Sequence, residues 1–449
     1  MNGGRRRVAD VVDAAIEEAL REPGCPACRL VERSVERYFD VLLWELVNDT
    51  GVRQQLRTSL GLCPRHTWTL VHVEQTQTRN VLGLAILFQD IITRIVEVLG
   101  GAGASNGLAV LKGTGGARVA ERRDACPACR LETSAEGTYL ARLMERARDE
   151  AGAPDLGQTG GARAPERSAG RWCLCPAHLS KALASRGRPR HATWGWARAI
   201  REAPAPPRLE GWLVARLQRC AAGPAGLGEA VLYRLLLPRP LVVGAVTHDR
   251  RAVPGDTPPH CPVCSALARG RSSTALPLTE AASGPGITLC PAHLADAPGA
   301  EGWLGAARRA VLAGEVHSLR CARCEEEAAT QSRLLRTSGG PFCFPHLLQR
   351  LALDRAATGI VAGTTGHNAS VRPAEAEAVP SRASTEAIVR LTVAYAVDLA
   401  GRLAGFIRKQ DWNVQEPLTP GEAASVREAA RFLGGYYVVF GSGRGGGMV

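Results

Sequence analysis

The sequence predicts a mainly α-helical, multi-module protein carrying four small Cys3His, zinc-knuckle-like sites at helix N-termini. Three observations lead there. Apolar residues recur at helical spacing along most of the chain. Stretches rich in glycine and proline, of which there are 49 and 28, divide those helical segments. Finally, a Cys-x-x-Cys pair answered downstream by a Cys-x-x-His pair occurs four times in strict alternation.

The segments follow in order. Residues 8–20 form a short lead-in helix that Glu22-Pro23-Gly24 ends. After Cys28, the positions Val31, Val35, Tyr38, Phe39, Leu42 and Leu46 make one helical stripe, broken at Asn48 to Gly51. Pro64, at a first helical position where its missing N–H costs nothing, opens a long and bent helix running to about Leu99. A Gly-rich linker spans 101–120. The second module repeats the plan after Cys129, with a disordered insertion at 151–171 and a basic, Trp-bearing helical segment after it. Two tighter modules follow, then a linker over 358–383 and a helix from Ser384 to Lys409. Thr419-Pro420-Gly421-Glu422 reads as a capping box opening a last helix that stops at Gly434-Gly435. The module boundaries expected are 8–100, 121–248, 258–318 and 319–357, with a C-terminal helical hairpin over 384–435. The glycine-rich tail 441–447 lacks the flanking strand and helix of a phosphate-binding loop.

The Cys/His phrase carries the chemistry. Its members are Cys25, Cys28, Cys63 and His66; Cys126, Cys129, Cys175 and His178; Cys261, Cys264, Cys290 and His293; and Cys321, Cys324, Cys343 and His346. Zinc takes four soft donors in a tetrahedron, and two donors three positions apart reach one ion from a single turn of chain. A second such pair from elsewhere closes the shell. Free N–H groups and the positive dipole end at a helix start favour thiolate there. Arg29, Arg65, Arg130, Arg320 and Arg323 lie beside the ligands and offset the net negative charge of three thiolates around a divalent ion. Four protein donors per site leave no open position, so the sites read as structural, four zinc ions per chain. An iron–sulfur cluster is a further reading of the same donors, though it commonly uses four cysteines. Each Cys-x-x-Cys is assigned to the Cys-x-x-His that follows it, because every spacer, however unequal, ends in a complete second half. A cross-braced scheme would use the same residues.

The composition narrows the class. At 449 residues and 45% hydrophobic, the chain has material for several cores. The net charge of +12 favours solubility and attracts anions. Arg5 to Arg7 are not followed by an apolar stretch of signal-peptide length, and no run of about 18 uncharged apolar residues occurs. The expected setting is cytoplasmic, where thiols stay reduced and paired cysteines read as metal ligands. No membrane and no small-molecule substrate is expected.

With the motifs in view, the chain resembles an uncharacterised bacterial family of helical proteins with paired Cys-x-x-Cys…Gly-x-Cys-x-x-His modules and a distinctive C-terminal tail. The residues carrying the resemblance are Cys25 to Cys28, Gly61 to His66, Leu82 to Leu87, Cys126 to Cys129 and Phe406 to Trp412. It covers the first two modules and the tail. Having four modules rather than two sets this chain apart. The resemblance implies metal binding and supplies no reaction.

Other residues are less specific. Between Ser185 and Cys220, eight arginines stand against two glutamates, with three tryptophans interleaved. Within it Arg186, Arg188, Arg190, Trp194, Trp196, Arg198 and Arg201 could grip a nucleic-acid backbone and stack on bases. The plainer reading, a helical segment that buries Trp under a solvated Arg face, ranks ahead of it. Cys173 could be an alternative ligand, and Cys220 is a small buried hydrophobe. His260 and His317 read as loop histidines, and Glu325 to Glu327 complement a helix dipole. No nucleophile has a positioned base, so no enzyme is expected. The function expected is a non-catalytic interaction or scaffold protein that recognises protein or nucleic acid. The alternative is a zinc/thiol redox-responsive regulator that releases metal on oxidation.

Overall fold

The computed structural model describes residues 11–21, 25–78, 81–100, 126–152, 174, 178, 181–182, 261–273, 322–357 and 382–435. Among these residues the chain is mainly α, with no strand, and no helix is long and apolar enough to cross a membrane. The linker 101–120, the insertion 151–171 apart from its first two residues, and the linker 358–383 apart from its last two lie outside this set.

The helices are α1 (Val11–Arg21), α2 (Pro26–Trp44), α3 (Thr50–Thr58), α4 (Pro64–Val73), α5 (Val81–Gly100) and α6 (Pro127–Gly152). They continue with α7 (Pro262–Ser273), α8 (Ala322–Thr337), α9 (Phe344–Ala357), α10 (Arg382–Arg408) and α11 (Pro420–Gly434). Local chemistry sets most of the boundaries. Proline follows the cysteine directly at the starts of α2, α4, α6 and α7. There the cysteine occupies the capping position, its carbonyl accepts the first intrahelical bond, and its side chain remains free to turn elsewhere. The box at α11 forms as read: Thr419 Oγ1 accepts from the Glu422 N–H at 3.2 Å, and the Glu422 carboxylate accepts from the Thr419 N–H at 2.7 Å.

One reading is corrected and one extended. The stretch expected as one bent helix from Pro64 to Leu99 is two helices, joined after α4 by a π turn over Glu74–Thr78. The break expected at Asn48 to Gly51 is present, α2 ending at Trp44, and a further helix unnoticed in the sequence, α3, starts within it, where Asp49 accepts from the Val52 N–H at 2.8 Å.

The main core runs through α2, α4, α5, α10 and α11 and takes in the starts of α6, α7 and α9. Helix α5 lies along α10, and α11 packs against α4, α5 and α10. A second, smaller core joins α1, the start of α2, the middle of α6, Leu174 and Ala182. The C-terminal end of α11 is held closely. Trp68 Nε1 donates to the Gly435 carbonyl at 3.1 Å, and Gly435, at φ +65°, lies against the Cys343 and Cys264 sulfurs. A side chain there would adopt strained backbone and crowd the sulfurs.

Helix α3 is fastened to α5 by Asp90. Its carboxylate accepts from Arg53 at 2.8 Å and from Arg57 Nε at 2.9 Å. Burial pushes the Asp90 carboxyl up, but hydrogen bonds from Arg57 and Arg53 outweigh burial and hold it below its ordinary value. Such a group stabilises the fold above its unfolded pKa, and the contribution fades as pH falls toward the depressed folded value. Asp90→Asn is therefore expected to cost roughly 1.5–3 kcal/mol near neutral pH, the scale of hydrogen bonds to charged groups. The gap between wild type and variant should narrow as pH drops through the carboxylate range. Urea titrations at several pH values check both.

Candidate metal centres

Every described half of the Cys/His phrase sits where a helix begins, and the halves meet in an order the spacing did not favour. Cys63 and His66 meet Cys126 and Cys129; Cys25 and Cys28 meet His178; Cys261 and Cys264 meet Cys343 and His346. Each Cys-x-x-Cys whose side chains are described thus meets residues of the neighbouring phrase's Cys-x-x-His rather than of its own. The sequential assignment is corrected to a crosswise one. Of the sixteen ligand positions, Cys175, Cys290, His293 and Cys321, with the side chain of Cys324, lie outside the described residues.

The physical reason is the packing of α2 on α6. Near the C-terminal half of α2, Phe39 stands edge-on to the His66 ring, in the centre that holds Cys126 and Cys129 at the start of α6. At the other end, Cys28 at the start of α2 meets His178, whose ring pairs with Glu136 farther along α6. The two helices therefore run antiparallel. Each presents its cysteine pair at an opposite end, beside the Cys-x-x-His of the other phrase.

Distances fit a single ion. A tetrahedral zinc would set its sulfurs about 3.8 Å apart and sulfur from nitrogen about 3.6 Å apart. In the first centre, Cys63 Sγ is 3.6 Å from Cys129 Sγ, and His66 Nδ1 lies 3.3 Å, 3.7 Å and 3.3 Å from the sulfurs of Cys63, Cys126 and Cys129. The Cys63 N–H points to Cys126 Sγ at 3.4 Å. In the centre of Cys261, Cys264, Cys343 and His346, Cys264 and Cys343 are 3.5 Å apart and the sulfurs lie 3.0–3.4 Å from His346 Nδ1. His178 Nδ1 stands 3.5 Å from Cys25 Sγ and 3.3 Å from Cys28 Sγ. The described cysteines are all free thiols, and these separations are far from the roughly 2.05 Å of a disulfide. The donor atoms within each group all lie within 4.8 Å of one another, so a mononuclear ion fits where a multi-iron cage would spread them wider.

Electrostatics agree. Burial pushes His66 down, but hydrogen bonds to the sulfurs of Cys126 and Cys63 raise it to about 9. Hydrogen bonds from Cys129 and Cys63 hold Cys126 below the ordinary thiol range. At Cys261, burial works upward, and hydrogen bonds from Cys264, Cys343 and His346 bring the thiol down despite it. Hydrogen bonds with Cys126 and Cys63 push Cys129 up and burial pushes Cys343 up, so the thiols of a cluster ionise together only with a positive partner among them. A divalent cation among the four donors fills that role and displaces the protons, so metal loading releases protons.

Two acidic residues that sequence reasoning missed complete the surroundings. Glu132 and Glu136 are both buried and lie one turn apart on α6. Glu132 pairs with Arg65, and its Oε2 stands 3.6 Å from His66 Nε2. Glu136 Oε1 is 2.9 Å from His178 Nε2, and its other oxygen meets Lys181. The signal available was spacing: positions 132 and 136 fall three and seven residues after Cys129, on its helix face. Arg65, read as balancing thiolate charge, pairs with this carboxylate. Arg29 donates to the Ala19 carbonyl at 3.2 Å and so ties α2 to α1.

Arg186, Arg188, Arg190, Trp194, Trp196, Arg198 and Arg201 lie outside the described residues. So do Cys173, Cys220, His260 and His317.

Comparison with known proteins adds little. No family model matches the chain. A curated protein of Caldicellulosiruptor sp. (strain Rt8B.4), described as an uncharacterized 23.9 kDa protein in the xynA 3' region, is 33% identical over 75 residues. That stretch is 17% of this chain and 34% of the relative, so the match spans about a third of the relative's length. No solved structure matches.

Proposed function

We propose that the chain is a zinc-binding, non-catalytic interaction protein, in which metal ions crosslink helices into a platform for a protein or nucleic-acid partner. One observation carries the reading. The two fully described tetrads each bring four protein donors, from two separate chain segments, to the edge lengths of a tetrahedron. Such a site leaves no coordination position for water or substrate, which is the mark of a structural rather than a catalytic ion. Soft thiolate and imidazole donors suit zinc. Cys175 is the fourth donor to Cys25, Cys28 and His178 in this reading. Extending the crosswise rule pairs Cys290 and His293 with Cys321 and Cys324 as a fourth centre. The arginines and tryptophans from Arg186 to Arg201 are the segment offered to a nucleic-acid backbone.

The test has two arms. Elemental analysis of purified, colourless protein is expected to give about four zinc ions per chain, as closed tetrads require. Strong visible absorbance would replace zinc with iron. Mild peroxide should leave the zinc in place; zinc released by peroxide and recovered on reduction would transfer the reading to a redox-responsive regulator. Nucleic acid that copurifies and leaves with salt identifies one partner class.

A further inference from the structure

We propose that Glu132 and Glu136 are positioning residues for two metal centres, holding the His66 and His178 imidazoles through Nε2 while Nδ1 faces the ion. The inference rests on the metal-binding reading above and assigns to α6 a second duty. This one helix supplies two ligands to the first centre and a carboxylate to each of two centres.

The geometry carries it. Both histidines turn Nδ1 toward sulfur, at 3.3 Å from Cys129 and 3.3 Å from Cys28. Ligation through Nδ1 leaves the proton on Nε2, and a buried N–H needs an acceptor. At His178 the carboxylate at hand is Glu136 Oε1, 2.9 Å from Nε2, an ion-pair contact in which the ring N–H is not aligned as a hydrogen bond. At His66, Arg65 Nη2 stands 3.0 Å from Nε2, so two N–H donors face each other. Glu132 Oε2 lies against Arg65 and 3.6 Å from His66 Nε2, an ion-pair distance from which a small ring rotation would let it accept from both. A carboxylate on the far side of an imidazole fixes its ring orientation and raises its basicity toward a metal. Each carboxylate also has its own cation, Arg65 or Lys181, so the added negative charge is balanced within each centre. The third centre provides an internal control. Among the described residues, His66 and His178 have carboxylate ion pairs and His346 has none.

The experiment uses the full zinc-loaded chain as wild type, Glu132→Gln and Glu136→Gln. Each is equilibrated against a chelator series, and occupancy is read by cysteine alkylation and mass spectrometry. Glu136→Gln is expected to expose Cys25 and Cys28 at about 10–100-fold weaker competition, the usual cost of losing such a partner. Glu132→Gln should do the same at Cys126 and Cys129, while Cys261 and Cys264 keep the wild-type curve in both. Glu136→Asp, which keeps the charge but withdraws the carboxylate, should also weaken the Cys25–Cys28 centre. Curves that coincide with wild type overturn the proposal and leave metal binding intact. An equal shift at all three centres also overturns it, since that marks general loosening of the fold. A wild-type chain that binds no zinc removes the metal reading itself.

Discussion

Cys63→Ser and Cys126→Ser are each expected to remove the same single zinc ion, and the double variant should remove no more. The expectation follows from the crosswise tetrad, in which Cys63, His66, Cys126 and Cys129 surround one point. Had each phrase closed on itself, the two cysteines would serve different ions and the double variant would lose two. The effect is large because a thiolate donor has no substitute nearby. Serine oxygen is a poor ligand for a soft site, and among the described residues the group around Cys63 holds only His66, Cys126 and Cys129 besides it. Zinc per chain, measured on all three variants beside wild type, decides between the schemes. Cys25→Ser combined with Cys63→Ser is the complementary pair: the crosswise scheme loses two ions there, where phrases closed on themselves would lose one.

Removing all metal is expected to unfold the α1–α2–α6 end while α5, α10 and α11 stay protected. The smaller core rests on seven sizeable aliphatic side chains: Ile16, Leu20, Leu30, Leu140, Leu143, Met144 and Leu174. Fully burying them yields about 10–20 kcal/mol. Ordering the eleven residues of α1 alone costs about 11–22 kcal/mol in backbone entropy. The apolar term is therefore close to spent before α2 and α6 are held, and Cys25, Cys28 and His178 lie inside this same core. A structural zinc contributes an apparent 10–16 kcal/mol or so in small zinc-finger peptides, enough to decide the balance. The main core differs. Leu84, Phe88, Ile91, Ile92, Ile95, Leu399, Leu403, Phe406 and Phe432 give it a much larger apolar interior, which Cys126, Cys261, Cys264 and Cys343 join. Hydrogen exchange followed by mass spectrometry, before and after chelation, reads the two regions separately. Protection lost evenly along the chain, or lost nowhere, would contradict the unequal role assigned to the ions.

The positioning of ligands was legible because it is local. Cys-x-x-Cys and Cys-x-x-His span single turns, and proline after the cysteine pins the helix start, so the donors and their place at helix N-termini could be read residue by residue. The final helix was legible for the same reason, its capping box being four consecutive residues. The end of α2 was also written locally, between Asn48 and Gly51, but the helix that Asp49 starts there went unread.

Sequence alone determined that sixteen cysteine and histidine positions come as paired halves in a mainly α chain, and, among the described residues, that these halves open helices. Which halves share an ion was decided by tertiary structure. Nothing in a spacer's length records whether α2 and α6 run parallel or antiparallel, and that direction brings Cys126 to His66 and Cys28 to His178. The same holds for Glu132 and Glu136. A glutamate on a helix is unremarkable until packing buries it against an imidazole, because its role comes from a neighbour more than forty residues away.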